Sequence, residues 1–97
     1  MSTTFIATLV VKPGMESRFE SLQRELSQLT HESEPDTLVY DVIRHRTRPS
    51  TYVVYGRFKD ERAFQVHQAS PFHDRLVPPI LATLAQEMDL QLFDWIA

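Results

Sequence analysis

Residues Leu38–Lys59 read LVYDVIRHRTRPSTYVVYGRFK. Two runs rich in β-branched and aromatic residues, Leu38–His45 and Thr51–Lys59, flank the polar, proline-containing stretch Arg46–Ser50. That pattern predicts two strands joined by a hairpin turn. In the second run Tyr52, Val54, Gly56 and Phe58 share one face, while Val53, Tyr55 and Arg57 share the other. Gly56 has no side chain to pack inside a strand, so it marks a bulge or a place where another group approaches closely.

Toward the N-terminus, Met15, Phe19, Leu22, Leu26 and Leu29 recur at steps of four and three. They form one apolar stripe, with Glu16, Arg18, Glu20, Arg24 and Glu25 outside it, and predict a helix from about Met15 to about Ser33. Glu34-Pro35-Asp36 ends it, because the residue before a proline avoids helical angles. Upstream, Thr4–Lys12 (TFIATLVVK) alternates Phe5, Ala7, Leu9 and Val11 against Ile6, Thr8 and Val10. One side is wholly apolar and the other mostly so, as expected of a central strand covered on both faces. Pro13-Gly14 closes it.

Beyond the hairpin, Asp60 suits the N-cap of a short helix with Ala63, Phe64 and His67 on one side. Ser70-Pro71 opens another helix, serine as the cap and proline at the first helical position. Pro78-Pro79 is expected to kink or break the chain at that point, leaving Ile80, Leu81 and Leu84 as a further apolar stripe. Met88–Ile96 (MDLQLFDWI) sets Met88, Leu90, Leu92 and Ile96 against Asp89, Gln91, Phe93 and Trp95 and predicts a fourth strand.

The order strand, helix, strand, strand, helices, strand defines one α+β domain over residues 1–97. It is a ferredoxin-like split βαβ arrangement, a four-stranded antiparallel sheet with helices on one face. On the other face Ile6, Val10, Val39, Ile43, Phe93 and Trp95 are expected. An apolar sheet face without cover points to a partner, here a second copy of the chain packed sheet to sheet as a homodimer.

Composition narrows the function classes. A length of 97 residues allows one small core, and 42% hydrophobic with 24% charged residues excludes a disordered chain. No apolar run approaches the roughly 20 residues that span a bilayer. A basic segment followed by a long apolar one is missing at the start, so a cytoplasmic location is the default expectation. With no cysteine, disulfides, thiolate metal sites and cysteine nucleophiles are excluded. A net charge of −3 gives no general attraction to a phosphate backbone. The short basic group Arg44, His45, Arg46 and Arg48 reads as a solvated turn, and nucleic acid is not an expected partner.

Val11-Lys12-Pro13-Gly14 with Phe19, Glu34-Pro35-Asp36-Thr37-Leu38-Val39-Tyr40, Tyr52–Asp60, and Ala63–His67 followed by Ala69-Ser70-Pro71-Phe72-His73 occur in an order and spacing that cover nearly the whole chain. Together they resemble the antibiotic biosynthesis monooxygenase family of the dimeric α+β barrel superfamily. The resemblance implies a dimer and a pocket in each subunit between sheet and helices. It also implies, for some members, oxygenation of aromatic quinols or anthrones without metal or flavin. Two departures stand out. The family usually carries glutamate where this chain has Gly56 and tryptophan where it has Phe58, and its motif usually ends histidine-phenylalanine where this chain has Phe72-His73. The haem-degrading branch uses an asparagine on the first strand, and Thr4–Thr8 contains none.

His67 is the candidate catalytic residue. It follows Ala63 and Phe64 at helical spacing and so points inward, and a neutral imidazole accepts a phenolic proton near pH 7. A purely structural histidine would show the same spacing. His73 lies near a helix start, which disfavours the imidazolium; the alternative is a half-exposed surface residue. Tyr40, Tyr52, Tyr55 and Phe58 are expected to line a flat apolar cavity suited to an aromatic ring, or else are plain core and sheet-face packing, and Tyr40, Phe58, Phe64 and His73 are the candidate substrate-binding residues. Asp41 could orient a histidine, or meet solvent or Arg57. Trp95 reads as an interface anchor. His31 and His45 fall at element ends and read as solvated. His67 and His73 are separated by the Ser-Pro break and do not form a same-face metal pair, so no metal site is expected. No G-x-G-x-x-G occurs, and no flavin or nicotinamide cofactor is expected. Two functions are compatible with these residues: a cofactor-independent oxygenase-like enzyme acting on a small aromatic or quinol-type molecule, or a non-catalytic dimeric module of the same fold that binds a small ligand.

Overall fold

A computed structural model describes residues 2–97. Its elements are β1 (Thr3–Val10), α1 (Glu16–Ser33), β2 (Thr37–Arg44), β3 (Thr51–Phe58), α2 (Glu61–Gln68), α3 (Pro71–Leu81) and β4 (Asp89–Asp94). The strands form one antiparallel sheet in the order β2-β3-β1-β4. β3 is inserted between β1 and β2, which α1 connects, and this is the split βαβ arrangement the sequence predicts.

The register sorts the side chains into two faces. Phe5 stands across from Gly56 of β3 and Leu92 of β4, and Gly56 across from Tyr40 of β2. Ala7 likewise aligns with Val54 and Leu90. This face meets the helices and holds the core: Phe5, Ala7, Leu9, Val54 and Phe58 pack against Phe19, Leu22 and Leu26 of α1, Phe64 of α2, and Leu76 and Ile80 of α3. The opposite face carries Ile6, Val10, Val39, Ile43, Val53, Tyr55 and Phe93, as the alternation requires, together with Thr4, Thr8, Asp41, Arg57 and Gln91. Among the described residues no helix packs on it, and Ile43, Phe93 and Trp95 are exposed there, although Thr4 is buried. Arg57 lies over the Trp95 ring, 4.5 Å from guanidinium carbon to ring centre, so its partner is Trp95 and not Asp41.

Local chemistry sets the element ends. Gly14 turns the chain from β1 into α1 with φ +90°, a conformation that favours glycine. Its N–H donates to Glu16 Oε1 at 2.8 Å, and Ser50 Oγ donates to Glu16 Oε2 at 2.6 Å, tying the hairpin turn to the helix start. Asp60 caps α2 by accepting from the Ala63 N–H, and Ser70 caps α3 by accepting from that of His73. His45 is more than a solvated end residue: its Nδ1 accepts from the backbone N–H groups of Thr47 and Arg48 and closes the hairpin turn. His31, exposed on α1, has Nε2 3.1 Å from the Tyr40 carbonyl and donates to it.

Of the kink or break expected at Pro78-Pro79, the break does not occur. α3 continues through both prolines to Leu81, so Ile80 belongs to the same buried stripe as Leu76. The carbonyls that lose their donors belong to Asp74 and Arg75, exposed residues whose freed groups can turn to water. Burial of Leu76 and Ile80 against the sheet then outweighs the two missing bonds.

Candidate active site

The sheet, α1, α2 and α3 line a cavity of about 140 Å³ that opens to solvent past Gln68, Leu81 and Leu90. Most of its wall is apolar: Phe5, Leu26, Val54, Phe64, Ile80 and Met88 all face it. Five polar groups break that wall, Gln23 from α1, Tyr40 from β2, His67 and Gln68 from α2 and His73 from α3. An open groove of about 670 Å³ runs outside, between α1 and β2, along Glu20, Arg24, Ser27 and Arg44. The groove is larger, but the buried titratable cluster belongs to the cavity. Gln23 and Tyr40 line both.

His67 is held from two sides. The Asp60 cap fixes the phase of α2, which turns Ala63, Phe64 and His67 inward. Its Nδ1 then lies 2.9 Å from Glu34 Oε1, with side chains 3% and 7% exposed. Glu34 sits at the C-cap of α1, where its N–H donates to the Thr30 carbonyl, and Thr37 Oγ1 donates to the same Oε1 at 2.8 Å. An ionised carboxylate only accepts, so Nδ1 carries the proton and Nε2 keeps its lone pair. Burial holds the His67 imidazole below its ordinary pKa; the Glu34 charge and hydrogen bond offset part of that effect. The ring is therefore neutral at pH 7, with its basic nitrogen unspent on Glu34.

The neighbours reinforce this. The His73 ring stands edge-on to His67, 5.0 Å between centres, and burial followed by repulsion from His67 lowers its pKa too. Tyr40 lies 5.2 Å from the His67 ring, and its hydroxyl is pushed far above the ordinary tyrosine range by burial and the Glu34 charge. Tyr40 is thus a neutral phenol at any physiological pH. Among the described residues no three His, Asp or Glu side chains converge as a metal ion would require.

Of the residues singled out from sequence, Tyr40, Phe64, His67 and His73 meet at the cavity. Phe58 sits one layer back: it is fully buried, stacked on Phe5 at 5.9 Å and packed against His67 at 5.2 Å, without lining the space. Asp41 lies exposed on the open sheet face, across from Tyr55 and away from both histidines. Two site residues escaped the sequence reading. In the sequence Glu34 stands in the turn that stops α1 and opens the family-like stretch Glu34–Tyr40, but nothing in one sequence links it to a histidine 33 residues later. Gln23 left a signal, since it lies four residues after Phe19 and three before Leu26, on the buried stripe.

The Gly56 departure has a structural counterpart. A Cβ on Gly56 would lie 2.9 Å from Phe5 Cδ2 and closer still to Cε2. The Phe5 ring lies on the bare backbone where the family's acidic side chain would begin.

The architecture and cavity define a class: α+β proteins with a small, largely apolar chamber between one antiparallel sheet and its helices. The sequence profile of antibiotic biosynthesis monooxygenases matches residues 3–78, and the chain belongs to that family. Among solved structures, one described as an antibiotic biosynthesis monooxygenase is 29% identical with a TM-score of 0.88, covering 98% of this chain and 99% of its own. A Caulobacter crescentus protein described as a candidate member superposes with a TM-score of 0.95 at 23% identity, covering 99% and 91%. SnoaB, a cofactor-independent oxygenase from Streptomyces nogalater, gives 0.85 at 21% identity over 97% and 92%. The latter two likenesses, below 25% identity, speak for the fold alone. No curated protein matches the chain.

Proposed function

We propose that this chain is a cofactor-independent, monooxygenase-like enzyme acting on an aromatic or quinol-type small molecule, with His67 as the general base. The observation that carries the reading is the buried neutral imidazole facing an apolar chamber, its Nδ1 committed to Glu34. Tyr40, Phe64 and His73 form walls around the substrate ring, and Phe58 supports His67 from behind.

The chemistry asks little else of the protein. His67 Nε2 takes the proton of a substrate hydroxyl, and the apolar walls leave the resulting phenolate poorly solvated and electron-rich. The phenolate passes one electron to dioxygen, giving an aryloxyl radical and superoxide. These recombine at a ring C–H carbon to form a peroxide, which loses water and leaves a carbonyl. Overall one hydroxyarene and one O2 give one quinone and one water, with all four electrons drawn from the substrate and O2 reduced by it. Oxygen uptake on mixing the protein with a panel of hydroquinones and anthrones is the test, with one atom from labelled dioxygen expected in the product. Uptake equal to buffer across the panel would leave only the second reading, a ligand-binding module of the same fold. Gly56 under the Phe5 ring favours that second reading, because it removes a polar group from the chamber wall.

The uncovered sheet face supports a homodimer packed sheet to sheet. Light scattering at micromolar concentration should return twice the chain mass; a monomer would refute the pairing.

A further inference from the structure

We propose that the hydroxyarene this chamber takes carries an apolar chain: the ring stands beside His67, and the chain leaves through the chamber mouth onto Leu81, Leu90 and Leu92. This deepens the reading above, on which it rests for the place of the ring.

The mouth has a cause in the topology. β4 is an edge strand, paired with β1 alone, and all six of its residues are exposed. In that pairing Leu90 stands across from Ala7 and Leu92 across from Phe5, so both leucines belong to the helix-bearing side of the sheet. The helices bury Phe5 and Ala7 there and stop short of β4, leaving Leu90 40% and Leu92 57% exposed. Leu81, at the end of α3, is 43% exposed on the other side of the gap.

The apolar wall runs outward without a break. Phe64 and Ile80 line the chamber in the buried part next to His67, Met88 is half-buried, and Leu81 and Leu90 line it where it meets water. Leu92 continues the same strand face two residues further on. Gln68 is the third exposed residue of the mouth, so two of the three are leucines. The polar groups suited to a ring hydroxyl, His67, Tyr40 and His73, are buried or half-buried. The polar end of an occupant therefore belongs inside and its apolar end at the surface. A ligand that ended at the mouth would leave the leucines in water, whereas a hydrocarbon chain covers them.

A second copy of the chain fits this rim poorly. The sheet-to-sheet pairing uses the opposite face of the sheet, and three half-exposed leucines fall well short of the roughly 800 Å² per partner that a stable protein interface buries.

The test is anaerobic calorimetric binding of hydroquinone, hexylhydroquinone and the same hexyl compound with a hydroxyl at the chain end. The proteins are the wild type and the double variant Leu90→Thr, Leu92→Thr, which trims the rim and keeps strand-forming residues at the edge. Hexylhydroquinone is expected to bind the wild type about a hundredfold more tightly than hydroquinone, the worth of about three or four buried methylenes. The terminal hydroxyl should change this by less than about threefold, because a hydroxyl that stays in water loses no hydration. In the double variant the ratio of the two affinities should fall about tenfold. If that variant fails to fold, Leu92→Thr alone should lower the ratio in the same direction. Equal binding of the two compounds by the wild type, or no binding of either, overturns the inference. A ratio that survives in the variant puts the chain elsewhere and overturns the rim; loss of binding on adding the terminal hydroxyl puts the chain inside and overturns its direction. A variant with half the wild-type mass by light scattering makes the rim an interface between copies, which also overturns the inference. Preference for the chain without oxygen uptake upholds the inference and ends the oxygenase reading; oxygen uptake with hydroquinone and no preference for the chain does the reverse.

Discussion

His67→Ala is expected to lower substrate-dependent oxygen uptake by about a hundredfold or more, the usual contribution of a positioned general base. Binding of the substrate should change much less, because most of the contact area belongs to apolar walls. The pH profile gives an independent readout. The base works only when deprotonated, and burial holds its pKa below the ordinary value of 6.5. Uptake should therefore be flat through neutral pH and fall on the acid side of 6.5. Stability should follow the same direction. The folded-state pKa is depressed, so the unfolded chain binds the proton first. The stability contributed by neutral His67 is present above the unfolded pKa and is lost as pH falls through the folded one. His73, lowered for the same main reason, adds to the loss, and His67→Ala should flatten the slope of denaturation midpoint against pH below 6.5. Glu34→Gln offers a control on positioning. An amide can donate to Nδ1 as well as accept, so the tautomer is no longer imposed, and uptake should drop while the fold persists. Undiminished uptake in His67→Ala would remove the residue from its role.

Gly56→Glu, which restores the residue the family usually carries, should destabilise the fold by about 3 kcal/mol, combining overpacking with a carboxylate turned into an apolar space. The new Cβ meets the Phe5 ring at separations real side chains do not adopt, and β3 lies inside the sheet between β1 and β2, where the backbone has little freedom to retreat. Phe5→Ala in the same chain should recover part of the loss, since it removes the group that is struck. Urea denaturation of the two single variants and the double variant measures the coupling. A Gly56→Glu midpoint equal to wild type would mean the Phe5 ring swings aside at no cost.

The two predictions depend on features that were differently visible in the sequence. Phe5, Tyr40, Phe64 and His67 could be assigned to the helix-facing side because strand and helix periods are local: a residue's face follows from its neighbours two, three or four positions away. The same logic located the open sheet face and its apolar residues. It failed at Pro78-Pro79, where a local rule against prolines inside a helix lost to burial of Leu76 and Ile80. It passed over Gln23 because polar residues were read as the outside of α1, although the spacing from Phe19 and to Leu26 put the amide inside.

The amino-acid order by itself determined the element sequence, the α+β class, the sheet faces and the inward aim of His67, because each follows from patterning within a dozen residues. Only the tertiary structure decided that Glu34 holds His67, that Phe5 lies on Gly56, and that Gln23, Tyr40, His67 and His73 meet at one cavity. Those are contacts between segments far apart in the chain, fixed by strand register and helix packing, and no local pattern encodes the distance between two such side chains.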